Sequence, residues 1–341
     1  ASVSQEGVEM IVGGTPDAMS YDLTAARYGI TVDSVEGEGA DVQVNTAEMT
    51  ISDVTGSYMV TTGDLQDVQS TLSSGAINVA VDISEPGGSG SLQFLGTVDG
   101  LQTRADVSVP AGLADMETPE TAFVDGLSVD TGYEFGASSY SFSFVDRGDS
   151  MEGSASAEGG ELSLVVNTEE FSFNGGATAP NVSFEGGELP FPVEVSMDEY
   201  AYGLALPLAA SEEPEPVNLR VLISELAVNE EVWSMVDPSG MLDHGPATLS
   251  IDVAGLAELD YDVTDPSQIQ QMMMSDVPGE LFEVTLNDLT VRALGAEVMG
   301  EGAFVFDNSD LETFPGMPRP EGSATLEING ANQLIDTLVE M

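Results

Sequence analysis

The sequence predicts a mainly β protein: a long curved antiparallel sheet, of groove or flattened-barrel type, with a few short helices. Three observations predict it. Apolar and polar residues alternate with period two from end to end, as in Phe282, Val284 and Leu286, which marks strands with one apolar and one wet face. Aromatics are only 6% of the 341 residues, while Gly reaches 37 and Pro 17, a mixture that suits short strands separated by turns. The hydrophobic fraction is 42%, enough to fill a core and to exclude disorder despite the charge.

The elements follow in order. Val8, Met10 and Val12 alternate into the turn "GGTPDA", and "SYDLTAARYGITVDSV" returns. "ADVQVNTAEMTISDVTGSYMVTT" supplies two or three strands, with Val42 and Val44 in phase. "TGDLQDVQSTLSSG" places Leu65, Val68 and Leu72 at helical spacing behind Asp64 or Thr62 as cap, which predicts a helix. "AINVAVDI", "GSLQFLGTVDG" and "LQTRADVSVP" are strands, with "EPGGSGS" as a turn between the first two. Further strands lie in "YEFGASSYSFSFVDRGD", "SASAEGGELSLVVNTEEFSFNGG" and "NVSFEGG". Gly-Gly pairs at 159–160, 175–176 and 186–187 mark turns or bulges. Three more helices are expected in "NEEVWSMVDP", in "DPSQIQQMMMSD" with Asp265 as cap and Pro266 at the first helical position, and from Ala331 onward. Between them, residues 282–307 form strands whose phase slips after Asn287-Asp288, with Phe304 and Phe306 on the return.

The Pro/Glu-rich stretch 211–219 is the best boundary, dividing a β-rich part at 1–210 from one with short helices at 220–341. A long excursion within one continuous sheet accounts for it equally well. The N-terminus reads as strand from its start, and "GANQLIDTLVEM" stops inside an amphipathic pattern. Both ends therefore read as cut from a longer precursor.

Charge excludes some partners. Six arginines and no lysine stand against sixty Asp and Glu, for a net charge of −54. Phosphate-backbone binding needs basic clusters, so nucleic acid is excluded. Anionic membrane surfaces repel the chain, and no apolar run approaches the roughly 18–20 residues needed to span a bilayer. The charge fits an acidic surface adapted to salt, or recruitment of divalent cations or a basic partner. With no cysteine, the fold has no disulfide, thiolate ligand or thiol nucleophile.

No residue set forms a catalytic constellation, and a non-enzymatic protein is expected. His244, the single histidine, lacks a nucleophile elbow and reads as structural or surface. Arg147-Gly148-Asp149 reads as a hairpin turn. Asp260, Asp262 and Asp265 offer hard oxygen ligands for calcium without EF-hand spacing, and Asp33, Glu36, Glu38 and Asp41 form a second acidic turn. Three consecutive methionines, Met272 to Met274, point in different directions on a helix, which suits packing or an apolar ligand better than a metal. Trp233, the single tryptophan, is expected to anchor an end of the sheet or to contact a partner.

"EEVWSMVDPSGMLDHGPATLSIDVAG", "FEVTLNDLTVRALGAEVMGEGAFVFDN" and "PEGSATLEINGANQLIDTLVEM" together resemble domain-of-unknown-function family 2125, found in alphaproteobacterial envelope proteins. Trp233, Asp237, Pro238, Pro246, Ala247 and Thr248 carry the resemblance, which covers about residues 190–341; His244 stands where a basic residue is expected. The resemblance implies export to the periplasm or cell envelope and one long β-rich unit, and it implies no catalytic residue. The expected function is binding of a lipid-like ligand on the concave face, lined by Met272, Phe282, Val284, Leu286, Phe304 and Phe306. The alternative is a structural or adaptor subunit of an envelope assembly.

Overall fold

A computed structural model describes residues 1–36, 43–85, 90–113, 119–275 and 278–341. The chain is 67% strand and 8% helix, a large curved antiparallel sheet of 21 strands with three short helices. In chain order these are β1 (Ser2–Glu6), β2 (Glu9–Thr15), β3 (Ala18–Glu36), β4 (Gln43–Thr62), β5 (Leu65–Ser74), β6 (Ile77–Ser84), β7 (Gly90–Val98) and β8 (Leu101–Pro110). Next come β9 (Ser128–Phe135), β10 (Ser138–Asp146), β11 (Asp149–Ala157), β12 (Gly159–Val166), β13 (Glu170–Thr178), β14 (Asn181–Gly186), β15 (Val193–Ser196) and β16 (Glu199–Pro207). β17 (Glu215–Val228) leads to α1 (Glu230–Val236), β18 (Ala247–Leu259) to α2 (Pro266–Met272), and β19 (Gly279–Ala293), β20 (Ala296–Asp307) and β21 (Arg319–Asn329) to α3 (Ala331–Glu340).

The pairing reveals a simpler object. β5 and β6 both pair with β4, and then with β8 and β7 respectively. The two short strands are therefore one span bent in the middle. β1–β2, β7–β8, β9–β10, β11–β12, β13–β14 and β15–β16 are bent in the same way. Joining these seven pairs turns twenty-one strands into fourteen spans of an up-and-down meander.

One crease thus crosses the sheet from β1–β2 to β17 and divides that part into two wings, the first holding β1, β6, β7, β10, β11, β14 and β15, while β18 to β21 continue the second wing alone. Gly7, Asp53, Gly100, Ala179 and Glu225 mark it with φ of 62°, 49°, 69°, 48° and 51°. Hydrogen bonding continues across it: Gly75 N–H donates to Ser52 O (2.9 Å), Asp99 N–H to Ala137 O (2.7 Å) and Ala179 N–H to Asp198 O (2.7 Å). The extra residue in each span has a second effect. On β4 the apolar positions are odd before Asp53 (Met49, Ile51) and even after it (Val54, Tyr58). A one-residue slip normally moves side chains to the opposite face; here it keeps the apolar side chains of both wings on one face while the backbone turns. Two of the three buried apolar residues among those described, Ala25 and Val54 (3% and 6% exposed), lie beside the crease.

Gly136 shows how tightly the crease is built. A Cβ placed there would lie 2.2 Å from Asp99 O, a backbone atom, whereas at Gly63 it would meet Leu65 O at 3.7 Å. Gly136→Ala is therefore expected to cost about 1–3 kcal/mol and to lower the melting temperature, with Gly63→Ala close to neutral. Equal melting temperatures for the two variants would contradict the close approach.

Four sequence expectations meet their outcome here. The helix expected at residues 62–75 is strand β5. Its polar residues bond across strands, Asp67 to Ser108 (2.6 Å), Gln69 to Asp106 (3.0 Å) and Thr71 to Ser57 (2.9 Å), and tertiary pairing of this kind overrides local spacing. The other three helices form as α1, α2 and α3. Residues 215–219 of the Pro/Glu-rich stretch are the start of β17, paired with β18 from Glu215 onward. Arg147 and Gly148, with φ of 49° and 103°, make the two-residue turn between β10 and β11. Glu38, Asp41 and most of the "EPGGSGS" turn lie outside the described residues.

Candidate functional site: an open apolar trough

In an antiparallel pair, directly opposed residues share a face, so the registers trace rows of side chains across the whole sheet. One row runs Met10, Leu23, Gly56, Leu72, Thr103, Tyr133, Leu162, Gly175, Tyr202, Val221, Ile251, Leu289, Gly300, Leu326. The parallel row two residues away carries Val12, Tyr21, Tyr58, Leu164, Phe173, Leu204, Leu219, Val253 and Leu286. A third holds Met19, Val60, Val68, Val107, Val129, Val166, Phe171 and Leu206. At the usual 4.7–4.9 Å between strands, fourteen spans extend such a face over about 60 Å.

This face is sheltered but not closed. Along β8 and β11 most polar-face residues, such as Gln102, Arg104, Asp106 and Glu152, are exposed, while most apolar-face residues are half-buried. Only Ala25, Val54 and Ala122 are buried apolar residues among those described, and Leu72, Tyr133, Leu162 and Tyr200 are classed as exposed. The accessible surface is 20266 Å², against about 13,000 Å² for a globular chain of 35.5 kDa. A sheet closed over a core would show neither value. Aromatic rings thicken the floor: Phe173 and Tyr200 lie 5.2 and 5.7 Å from Tyr202. Gly175 makes room for that ring, since a Cβ there would meet the Tyr202 hydroxyl at 2.6 Å.

Five of the ligand-lining residues expected from sequence share this face. Val284 is paired directly with Phe304, Leu286 with Gly302, and Phe306 with Pro320; Phe282 lies one alternation from Val284, at a bulge opposite Leu256 and Ala257. All five are half-buried. Met272 is set apart at the end of α2, half-buried, with Met273 and Met274 exposed at 79% and 75%. The contributions of β3 to β16 were missed, because only the register brings Leu23, Leu162 and Tyr202 into one row.

A hollow of about 890 Å³ has a lining that places it on the other face. Its lining contains the polar rows through Ser57, Thr71, Arg104, Ser163, Asn174 and Arg220 and through Thr55, Gln102, Glu134 and Glu161, with Leu23 to Tyr202 between them. The apolar rows flanking that middle row contribute nothing, so the hollow is a channel between polar side chains floored by backbone. Both arginines are engaged, Arg104 with Asp130 (2.7 Å) and Arg220 with Glu199 (3.7 Å).

Two of the acidic residues weighed as calcium ligands, Asp262 and Asp265, accept local hydrogen bonds. Asp265 accepts from Ser267 Oγ (2.8 Å), Ser267 N–H (2.9 Å) and Gln268 Nε2 (3.1 Å), and these bonds lower its pKa. Asp262 accepts from Ala210 N–H and Gln268 Nε2 at 2.8 and 2.7 Å. Among the described residues no three His, Asp or Glu side chains converge as a metal site, and no helix is long and apolar enough to cross a membrane.

Trp233 and His244 are stacked, with ring centroids 4.5 Å apart and planes within 5°. Asp237, the C-cap of α1, is 2% exposed and lies beneath them. It accepts from Ser239 Oγ (2.6 Å) and Leu242 N–H (2.7 Å) and faces His244 Nε2 at 3.4 Å. Those donors, Ser239 first, pull its pKa down to about 2. Asn229 ties this assembly to β15, donating from N to Glu194 O and accepting from Glu194 N–H. The first wing ends there.

Comparison with known protein families, characterised proteins and solved structures gives no match. The function is therefore argued from the trough's own geometry.

Proposed function

We propose that this is a non-catalytic protein of the periplasm or cell envelope that holds a lipid-like, apolar or amphipathic ligand on the concave face of its creased sheet. One observation carries the reading: an apolar row crosses all fourteen spans with almost none of its side chains fully buried, so part of its hydrophobic surface has no cover among the described residues. At about 25 cal/mol per Å² of apolar surface removed from water, even partial cover by an acyl chain is favourable. The net charge of −54 argues for a neutral or cationic head group over an anionic one. The resemblance of residues 190–341 to exported envelope proteins supports the location.

Native mass spectrometry of protein purified from its own source tests this. The expected result is a co-purifying amphiphile of a few hundred daltons or more, replaceable by a neutral lipid supplied in vesicles. A bare chain that takes up no lipid from such vesicles would overturn the proposal.

A second reading, an adaptor in an envelope assembly, is favoured by the two sheet edges. β1 and β2 at one edge and β21 at the other are exposed along most of their length, with Val3, Met10, Ile11, Leu326 and Ile328 all above 50%. Unpaired edges of this kind invite strand addition. A co-purifying protein in place of a lipid would favour that reading.

A further inference from the structure

We propose that the segment from Asn229 to Pro246 is a proton-controlled latch at the end of the first wing, with His244 as its switch. Both ring nitrogens of His244 face carboxylates, Nδ1 at 3.0 Å from Glu230 and Nε2 at 3.4 Å from Asp237. Only the imidazolium can donate to both; a neutral ring presents a lone pair to one of them. The stacked Trp233 adds to the preference, because a cation over an indole face is attracted by the ring quadrupole. Among the described residues no acceptor meets the buried Trp233 Nε1, and the ring is stacked on His244.

The charges around the ring agree in sign. Glu230, from the first turn of α1, and Asp237, from its C-cap, both face His244. Asp243 turns its carboxylate onto Gly245 N–H (2.7 Å), and Arg292 on β19 is engaged by Glu225 and Thr248. The Glu230 hydrogen bond, opposed by partial burial and aided by Asp237, raises the His244 pKa above 6.5. A raised histidine pKa stabilises the closed form fully below the ordinary histidine range, and that stabilisation is lost as pH rises through the raised value. The buried carboxylate of Asp237 stays ionised down to about 2, so the latch fails at its alkaline side first. Glu230 is 78% exposed and free to turn to water, whereas Asp237 keeps its other donors. Opening therefore frees the loop from the start of α1 while leaving its turn at Asp237.

The chain contains one tryptophan and one histidine, so wild-type protein reports on the pair directly. Tryptophan emission should rise roughly twofold between about pH 6 and about pH 9, along a one-proton curve, as the quenching imidazolium is lost. Amide exchange at Asp243, His244 and Gly245, beyond the retained Asp237 turn, corrected for its intrinsic pH dependence, should accelerate about tenfold over the same range. His244→Gln should abolish the emission step. Flat wild-type emission, or a step that survives in a folded His244→Gln variant, would overturn the proposal. So would a step without faster loop exchange, which would make the pair a titrating stack and not a latch.

Discussion

Val54→Glu is expected to unfold the chain, while Val284→Glu leaves it folded and strips its capacity for apolar ligand. The contrast follows from where the two valines sit. Val54 is 6% exposed and paired with Ala25 beside the crease. A carboxylate there is buried without a partner, which costs several kcal/mol, a large part of the 5–15 kcal/mol that usually holds a domain together. Val284 is half-buried opposite Phe304 on the trough wall, where one side is open and a charge can reach water. The expected cost is about 1 kcal/mol, and Val284→Trp, which only fills open volume, should also fold. Melting temperature and extraction of bound lipid decide the matter. Collapse of both Val284 variants would mean that the apolar face is a packed core and not a trough. Retained lipid in a folded Val284→Glu protein would move the ligand elsewhere on the sheet.

Raising NaCl from about 0.01 M to about 1 M is expected to raise the melting temperature by roughly 10 °C, as the Debye length falls from about 30 to about 3 Å. The registers identify where the repulsion lies. Asp106 is opposed to Asp130, Glu134 to Glu161, Glu152 to Glu185, Asp252 to Asp288 and Glu258 to Glu280. Like charges directly opposed across strands destabilise by some tenths of a kcal/mol each, before the long-range repulsion of −54 is added. Arg104 relieves Asp130, Gln69 donates to Asp106, and Asn287 and Thr290 donate to Asp252 and Asp288; no cation among the described residues pairs with these last two carboxylates. A flat or falling melting temperature across this range would contradict an acidic face held under strain. Micromolar calcium at matched ionic strength separates screening from a specific site: an added gain that Asp262→Asn removes would place an ion among Asp260, Asp262 and Asp265.

The period-two alternation made the sheet legible because each strand carries its own signature, and Phe282, Val284, Leu286, Phe304 and Phe306 were found on one face for that reason. The crease was much harder to see. Its signal is one extra residue per span, such as Asp53 between Ile51 and Val54, and in sequence that looks like a break between two strands. Leu65, Val68 and Leu72 gave a false helix because their spacing fits helical periodicity, and only cross-strand partners distinguish the two. His244 and Asp237 were visible in sequence, but the stack on Trp233 requires the return of the chain after α1. Hollow and trough depend on the register of nine or more strands, and no local pattern encodes that.

The crease also bears on how such a protein can change its length. Each span from β1–β2 to β17 repeats the same bent profile, and successive spans touch only their neighbours. β10 ends at Asp146 and β15 begins at Val193, on the same wing and running in opposite directions; β9 and β16 stand likewise on the other wing. The two spans between them, β11 to β14, could be removed or duplicated without altering the direction in which any other span runs. Losing or gaining two spans changes the reach of the trough by about 10 Å while preserving its cross-section, its crease and both its edges. Reach and cross-section are thus inherited separately: hairpin number sets the first, and the odd residue in each span sets the second.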